Sequence, residues 1–264
     1  MESQQRKVLG RKRLFKLLGL KMKITIAGYG FVGKAHYELL KDKHDIQIYD
    51  PRLGYTDFGE PEAVIVCVAT PPNAGGGCHM DNVFDVIELA HIDIPILIKS
   101  TFSVEGWDML VDAFPTRVLN FSPEFLREAS WLEDINNMEL MLIGGNSCHF
   151  WGNVFGVGIE IADPKELILA KYARNSFLAL KVAFFNQMYD LCDKLDIEYS
   201  AVAHYTGMDP RITESHTKVT EERGFGGHCF PKDTSALVKT AQRYDVELSI
   251  LQEAIAYNNS IRKD

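Results

Sequence analysis

One cysteine stands among residues that suggest chemistry at its sulfur. Cys229 lies in the stretch GFGGHCFPKD, residues 224–233, between glycines that let the backbone curl around a ligand and a proline that stiffens the exit. Lys232 and the N-terminus of a following helix would stabilise a thiolate there. The stretch therefore suggests a nucleophile, and the competing interpretation is a small residue buried in the core. His228 is not assigned as its base, because neighbouring side chains in a loop often diverge.

The cysteines as a set indicate the redox environment. There are five of them, an odd number, with wide spacing and no CxxC pair: Cys67, Cys78, Cys148, Cys192 and Cys229. This pattern is not typical of a disulfide framework or a zinc site. We expect free thiols, no bound metal and a reducing cytoplasm as the location.

Two other polar pairs could take part in chemistry. Lys171 and Asn175 are four residues apart in an apolar helical pattern, so they share a helix face. The lysine either extends to solvent or is held in a functional site. Glu124 and Glu128 of SPEFLRE would share a face if that stretch is helical, although Ser122 with the following acids also fits a capping box. Asp233 is expected to cap the helix TSALVKTAQRY, which alone could explain it.

A glycine motif follows the first predicted strand. GYGFVG fits G-x-G-x-x-G and opens a helix, the arrangement that binds a dinucleotide pyrophosphate. Asp50 ends the second predicted strand, where a carboxylate would bind the ribose hydroxyls and repel a 2′-phosphate. The pattern therefore predicts NAD rather than NADP, with Arg52 near enough to weaken that preference. The alternative is a glycine turn in an unrelated α/β fold.

Two kinds of segment must position these residues. Residues 22–162 alternate helical stretches with six short apolar runs, KITIAGYG, IQIYD, AVIVCVAT, IPILIKST, RVLNFS and MELMLIGG. Runs without polar alternation are typical of strands buried in a parallel sheet, so we predict a doubly wound α/β, Rossmann-like domain. Residues 163–264 are predicted to form a helical domain, beginning with one long helix that starts at Pro164 after a capping Asp163.

Charge excludes some classes of partner. The net charge of −8 over 264 residues disfavours nucleic acid and anionic membranes, and no apolar run is long enough to span a bilayer. Residues 1–21 are the exception, with seven Lys/Arg and one Glu. We expect a basic N-terminal tail or an extension before Met22, with an amphipathic surface segment as the alternative.

Several of these stretches together resemble one family. GYGFVG, ATPP with Asp81 downstream, ST at 100–101, SPEFLRE, LAKYARNSFLALKVAFFNQ, GMDPRI and GFGGHCFPKD occur in the order typical of the UDP-glucose/GDP-mannose dehydrogenase family. The resemblance covers nearly everything from Met22 onward and is nearest to members that oxidise UDP-glucose. It implies four-electron oxidation of UDP-glucose to UDP-glucuronate with two NAD per turnover, through a cysteine thiohemiacetal and a thioester.

The resemblance also implies roles for individual residues. The catalytic set would be Cys229, Lys171, Asn175, Asp233, Glu128 and Thr101. The cofactor set would be Gly28, Tyr29, Gly30, Phe31, Val32, Gly33, Asp50, Thr70, Thr101 and Glu128. The substrate set would be Glu124, Phe125, Leu126, Lys171, Asn175, Arg211 and Gly226. Arg211 corresponds to an arginine that reaches the substrate diphosphate from the neighbouring subunit, which implies a homodimer built on the long helix.

Three departures from the family pattern accompany these matches. The sequence stops at NNSIRKD, where relatives continue into a UDP-binding domain. ESHTKVTEER replaces a stretch with which relatives bind the nucleotide. Ser103 stands where proline is usual. Two alternatives therefore stay open. One is a non-catalytic NAD-binding dimer, or a fragment that needs a separate UDP-binding domain. The other is a two-electron dehydrogenase of the hydroxyacid or phosphogluconate type, which has the same two-domain layout.

Overall fold

A computed structural model describes residues 21–71 and 78–263. The prediction for the basic tail therefore lies, apart from Lys21, outside the described residues. The described part divides into two compact units, with divisions between Thr70 and Pro71, between Cys78 and His79, and between Ile168 and Leu169.

A seven-stranded sheet forms the centre of the first unit. The strands are β1 (Lys23–Ala27), β2 (Asp45–Tyr49), β3 (Ala63–Val66), β4 (Pro95–Ile98), β5 (Val118–Phe121), β6 (Leu140–Gly145) and β7 (Gly158–Ile161). Their order is β2-β1-β3-β4-β5-β6-β7. All neighbours are parallel except β5 and β6, which are antiparallel. The doubly wound α/β prediction is confirmed, with two differences: this antiparallel pair, and the seventh strand.

The seventh strand was missed because it lies at an edge of the sheet. β7 has only four residues, GIEI, and none of them is buried. In contrast, β3 and β4 are fully buried along their whole length. Apolar runs such as AVIV and PILI are therefore visible in the sequence, while a short exposed strand gives no comparable signal.

Five helices and two 3₁₀ turns connect these strands. The helices are α1 (Phe31–Leu40), α2 (Asp81–Leu89), α3 (Val104–Ala113), α4 (Trp131–Asn136) and α5 (Cys148–Phe155), and the 3₁₀ turns are Pro51–Leu53 and Glu128–Ser130. One hydrophobic core cluster of this unit includes Trp151 and Phe155, which are both fully buried together with strand residues such as Ile26. Ser103 caps α3 by accepting a hydrogen bond from the Gly106 amide at 3.2 Å, so the residue that replaces the usual proline has a local role.

Helices make up the second unit. They are α6 (Pro164–Leu195), whose first turn belongs to the first unit, α7 (Tyr199–Gly207), α8 (Phe230–Arg243) and α9 (Ser249–Ile261). The predicted start of α6 is confirmed, because Asp163 Oδ1 accepts a hydrogen bond from the Lys165 amide at 2.7 Å. Glu166 Oε2 accepts one in return from the Asp163 amide at 3.3 Å, which completes a capping box. α7 was not predicted.

A small apolar core holds the second unit together. Ala179, Val182 and Ala183 on α6 pack with Phe225, and Phe230 and residues of α9 pack against them. No helix in the described part is both long and apolar enough to cross a membrane.

Candidate functional site

Cys229 occupies the N-cap position of α8. The sequence predicted that Asp233 caps this helix. That prediction is wrong, because α8 begins at Phe230 and Asp233 lies in its first turn. Pro231 is compatible with this first turn, where its missing N–H removes no hydrogen bond. Cys229 is partly buried, and the amides of a helix N-terminus favour negative charge beside it.

A buried hydrogen bond joins α6 to this first turn. Asn175 Nδ2 donates to Asp233 Oδ2 at 2.6 Å, and Lys232 Nζ donates to Asp233 Oδ1 at 2.7 Å. Asp233 is 1% exposed and Asn175 is 6% exposed. Lys171 is also buried, one helical turn before Asn175 on the same face of α6. The amine, amide and carboxylate predicted to act with the thiol therefore belong to one local arrangement.

The loop before Cys229 is fixed by Asn186. Asn186 Oδ1 accepts hydrogen bonds from Arg223 Nε and from the Gly224 amide, each at 3.0 Å. Arg223 also donates to Asp190 at 2.6 Å and lies over the ring of Tyr189. Because Asn186 is 1% exposed, an unpaired oxygen there would be costly, so the contact strongly favours this loop conformation.

Asn258 on α9 fixes the next residue of the loop. Its Oδ1 accepts from the Phe225 amide at 2.6 Å and its Nδ2 donates to the Phe225 carbonyl at 3.1 Å. Gly224 must be glycine, because its φ is +55° and a Cβ would lie 2.3 Å from Asn258 Oδ1. The rings of Phe225 and Phe230 then meet edge-on at 6.4 Å, which holds both ends of the segment that carries Cys229.

In the first unit, the glycine motif forms a tight turn between β1 and α1. Gly28 has φ +90°, and a Cβ there would lie 2.6 Å from the Cys67 backbone. A Cβ on Gly33 would lie 2.0 Å from the Gly28 carbonyl oxygen, so α1 packs directly on the turn. Gly30 faces open space, and as the N-cap of α1 it leaves the first amides without a side-chain cap. Such amides can bind an anion.

Two further residues of the predicted cofactor set follow β2 and β3, the strands on either side of β1. Asp50 Oδ2 accepts a hydrogen bond from the Tyr29 amide at 2.8 Å, which ties the end of β2 to the glycine turn. Thr70 Oγ1 donates to the Thr101 carbonyl at 2.5 Å, which joins the ends of β3 and β4. The carboxyl ends of parallel strands are where doubly wound folds bind ligands.

The SPEFLRE stretch is not a helix, so both interpretations of its spacing are wrong. Ser122 accepts from Lys99 Nζ at 2.9 Å instead of capping a helix, and Glu124 turns its carboxylate onto its own loop. Glu124 Oε1 accepts from the Phe125 and Leu126 amides at 2.8 and 3.1 Å. These bonds replace helical ones, so Glu124 and Glu128 do not share a helix face.

The other oxygen of Glu124 faces two buried bases. Glu124 Oε2 lies 3.2 Å from Lys99 Nζ and 3.7 Å from His36 Nε2, and both partners are buried. Burial raises the pKa of Glu124, but the charges of Lys99 and His36 and the hydrogen bonds outweigh it and the net shift is downward. For His36, burial and then Lys99 lower the pKa to about 4. Burial also raises the pKa of the nearby Cys67 thiol, which is not a candidate nucleophile.

The remaining residues of the predicted set are more exposed. Glu128 begins a 3₁₀ turn at the surface, and Arg127 before it is held by Asp134 through its amide at 2.8 Å and its guanidinium at 2.5 Å. Arg211 has an 88% exposed side chain that pairs with Asp209. Gly226 lies against the Arg262 guanidinium, which a Cβ would meet at 2.6 Å.

Sequence reasoning missed Asn186, Asn258, Lys99 and His36. A buried asparagine in FFNQ and a lysine in PILIKS are signals, because polar residues inside apolar runs need partners. All five cysteines are free thiols. Within residues 21–71 and 78–263, no group of three or more His, Cys, Asp or Glu is placed to hold a metal ion.

Comparison with known proteins agrees with this arrangement. Residues 166–260 match the model of the central domain of the UDP-glucose/GDP-mannose dehydrogenase family. The chain is 33% identical over 243 residues to UDP-glucose 6-dehydrogenase of Rickettsia conorii, which covers 84% of this chain and 56% of the relative. The chain is thus similar to members of the UDP-glucose/GDP-mannose dehydrogenase family, and its residues 166–260 match that family's central domain. It therefore spans little more than half the length of that curated relative.

Solved structures show the same fold. A UDP-glucose dehydrogenase from Pyrobaculum islandicum has a TM-score of 0.79 at 24% identity, over 92% of this chain and 69% of that chain. The 3-hydroxyisobutyrate dehydrogenase of Mycobacterium tuberculosis has a TM-score of 0.73 at 14% identity, over 91% of this chain and 94% of that chain. At these identities the likeness concerns the fold alone, and it is shared by enzymes with different substrates.

Removing the Lys99 amine tests the buried ion pair of the first unit. Lys99→Met should lower the free energy of unfolding by about 3 kcal/mol at pH 7, because it leaves the Glu124 carboxylate buried without its cation. Since the folded protein lowers the pKa of Glu124, the pair stabilises above the ordinary carboxyl pKa and is lost as pH falls through the folded value. The deficit should therefore shrink below about pH 4.5.

Urea titrations from pH 3.5 to 7.5 measure this deficit. Lys99→Met combined with Glu124→Gln is the matched variant, and it should recover part of the stability at pH 7 because no buried carboxylate remains. A deficit that is independent of pH would contradict the prediction.

Substitution of Asn186 tests its two hydrogen bonds to the loop before Cys229. Asn186→Leu should slow alkylation of Cys229 by iodoacetamide several-fold, since the loop before it loses two hydrogen bonds. Asn186→Asp retains the accepting oxygen and should restore the wild-type rate. Mass spectrometry of the Cys229 peptide measures the rate at a temperature where both variants are folded. Equal alkylation rates in wild type and Asn186→Leu would show that the Asn186 hydrogen bonds do not position the thiol.

Proposed function

We propose that this chain is an NAD-dependent oxidoreductase that converts the primary alcohol of a nucleotide sugar to a carboxylate, with UDP-glucose as substrate and UDP-glucuronate as product. The observation that supports the proposal is the buried Asn175–Asp233 hydrogen bond, because Asp233 lies one helical turn after Cys229. The match to the family's central domain and the named relatives support the same reaction. Because the chain spans little more than half of those relatives, its activity as it stands is part of the proposal.

The glycine turn fits the pyrophosphate of NAD. Gly30 leaves open space where a side chain would block the ligand, and the first amides of α1 have no side-chain cap. Asp50 is positioned by its bond to the Tyr29 amide and would accept the ribose hydroxyls, while Arg52 beside it is exposed. Two NAD molecules, bound one after the other, would each accept one hydride from the sugar carbon in a turnover.

Cys229 is proposed to hold the sugar between the two oxidations. Its sulfur forms a bond to the aldehyde carbon while the carbonyl electron pair moves to oxygen, which gains a proton as the thiol loses one. Lys171 and Asn175 would stabilise the negative charge on that oxygen. After the second hydride leaves, water adds to the thioester, the carbon–sulfur bond breaks, and carboxylate and thiol are formed.

The pairing of Asp233 suggests how it could serve this chemistry. Its two oxygens accept from Asn175 and from Lys232, so the carboxylate is held in place inside a site that is almost fully buried. From that position it would orient a water molecule or take a proton in concert with Lys171. Glu128 is proposed as the base for thioester hydrolysis and Thr101 as a ligand for water or cofactor, both on the resemblance to the family.

The resemblance to the family is the basis for proposing Glu124, Phe125, Leu126 and Gly226 as substrate contacts. Phe125 and Leu126 are partly buried and their amides are held by Glu124, which gives this part of the loop a defined shape. A side chain at position 226 would meet the Arg262 guanidinium.

An apolar stripe on α6 supports the homodimer. Phe177, Phe184 and Leu191 follow at seven-residue intervals and are 68%, 54% and 49% exposed. Residues at this spacing lie on one face and form the seam of paired helices. Exposed Arg211 would then reach the substrate diphosphate of the neighbouring subunit, as the resemblance implies.

A nucleotide-sugar screen with NAD tests the reaction. We expect UDP-glucose to give two NADH per sugar consumed, followed by absorbance at 340 nm, and UDP-glucose to protect Cys229 from alkylation. Cys229→Ser should lower turnover at least a thousandfold because the covalent step is lost. Cys192→Ala, which changes a buried cysteine on α6, should stay active.

Other stoichiometries would contradict this proposal in different ways. One NADH per substrate, insensitive to Cys229→Ser, would favour the two-electron hydroxyacid or phosphogluconate-type reaction. NAD binding without turnover of any nucleotide sugar would favour a non-catalytic dimer or a fragment that needs a separate UDP-binding domain.

Charge placed on the apolar stripe tests the dimer. Phe177→Lys with Phe184→Lys should convert the protein from dimer to monomer, measured by light scattering with size-exclusion chromatography, because buried like charges would face each other across the seam. Met109→Lys on α3, 55% exposed, is the control and should remain dimeric. A monomeric wild type would overturn the prediction.

A further inference from the structure

Residues at the end of α9 hold the segment of chain that precedes α8. The Lys263 amide donates a hydrogen bond to the Glu222 carbonyl at 2.8 Å. Arg262 Nη1 donates to the Arg223 carbonyl at 3.0 Å. Asn258, one helical turn earlier, bonds the backbone at position 225 through both of its side-chain polar atoms. Because these contacts come from one end of one helix, they hold residues 222–225 as a unit.

The Arg262 guanidinium also occupies the place of a side chain at position 226. A Cβ on Gly226 would lie 2.6 Å from both Cζ and Nη2 of Arg262 and 3.0 Å from its Nη1. The φ of Gly226 lies outside the left-handed region, unlike those of Gly224 and Gly227, so its backbone does not itself require glycine. The reason for a glycine at position 226 within the fold is therefore the room that it leaves for Arg262.

Arginine suits this position because its charged group is flat. Since the central Cζ is as close to the Cβ position as Nη2 is, the backbone of Gly226 lies over the face of the guanidinium and not at its edge. The N–H groups in the plane remain available as donors, and one of them reaches the Arg223 carbonyl. A single side chain thus holds the segment at two positions, by packing and by a hydrogen bond.

The contact with Arg262 lies close to the thiol along the chain. Only Gly227 and His228 stand between Gly226 and Cys229. Gly227 has φ of +73° and a Cβ there would face open space among the described residues, while His228 is exposed. Packing gives these two residues little support, so the place where the chain leaves position 226 determines where it reaches Cys229. Beyond Cys229, the first turn of α8 is already fixed by its hydrogen bond to α6.

We propose that Arg262 is a positioning residue for Cys229, which sets the location of the sulfur by holding the backbone at positions 223 and 226. The proposal rests on the function proposed above for Cys229 and adds a residue that acts through the backbone without contacting the substrate. Its effect should fall on the step in which the sulfur bonds to carbon, because small displacements of a reacting atom lower the rate of such a step steeply.

Alkylation of Cys229 by iodoacetamide tests the positioning without any substrate. Arg262→Met should slow the reaction about fivefold, because a displaced sulfur moves from the helix N-terminus that favours its thiolate. Arg262→Lys retains a donor but no flat face, and it should restore part of the rate. Lys263→Met is the matched control, since it removes a neighbouring positive charge whose residue holds Glu222 through its backbone amide, and its rate should equal that of wild type.

Mass spectrometry of the Cys229 peptide measures these rates, at a temperature where thermal melts show every variant to be folded. Equal rates in wild type and Arg262→Met would overturn the proposal. An equal slowing by Lys263→Met would also contradict it, because the effect would then follow from charge alone.

A double-mutant cycle tests whether Arg262 acts through position 226. Gly226→Ala should slow alkylation because its Cβ displaces the guanidinium. In an Arg262→Ala background the same substitution should have little further effect, since no guanidinium is left to displace, so the two changes should be strongly non-additive. Additive effects would show that position 226 requires glycine for another reason and would overturn this route.

Steady-state kinetics with UDP-glucose and NAD give the readout that depends on the proposed reaction. Arg262→Met should lower kcat about tenfold with KM nearly unchanged, because the sulfur is displaced while the substrate contacts are not. A raised KM with unchanged kcat would make Arg262 a substrate contact and contradict positioning. If no nucleotide sugar is oxidised, the alkylation rates still decide the role of Arg262, so failure of this proposal is distinguishable from failure of the proposed reaction.

Discussion

The position of Cys229 depends on one buried hydrogen bond between helices. Asn175 on α6 and Asp233 on α8 are both almost inaccessible to water, so neither polar group can exchange its partner for solvent without a large cost. The bond fixes the rotation of the first turn of α8 against α6, and with it the direction in which the chain enters that turn. The Phe225–Phe230 contact and the two asparagines of the cysteine loop then fix the approach to it. Cys229, at the N-cap of α8, is thereby held from both directions.

The charge of Lys232 is neutralised within the second unit. Lys232 Nζ is bonded to Asp233 Oδ1 at 2.7 Å, so its effect is structural. The net charge of −8 is a sum over the whole chain and does not describe the charge around Cys229.

Features that depend on local pattern were predictable from the sequence, and features that depend on tertiary pairing were not. The buried strands, the start of α6 at Pro164 and the glycine turn follow from periodicity, capping and φ preference. The helix prediction for SPEFLRE failed because of Lys99, a buried residue twenty-five positions before Glu124 in the sequence. Lys99 pairs with one carboxylate oxygen of Glu124, and the other oxygen bonds the amides of its own loop. The prediction of where α8 starts failed for a related reason. The first turn of α8 is stabilised by Asn175, which lies 58 residues before Asp233 in the sequence. Rules that consider only neighbouring residues cannot identify Lys99 or Asn175 as partners.

The same buried pair bears on which carboxylate can act as a base. Glu124 has one oxygen committed to Lys99 and the other to two backbone amides, and its pKa is lowered by those partners, so it is both immobile and a weak base. What Glu124 does instead is define the loop, which Arg127 and Asp134 fix at its far end. Glu128 emerges from that loop at the surface, where its carboxylate can reach water. The two acids of SPEFLRE therefore differ in environment: Glu124 is held inward and fixes the loop, whereas Glu128 is exposed to water.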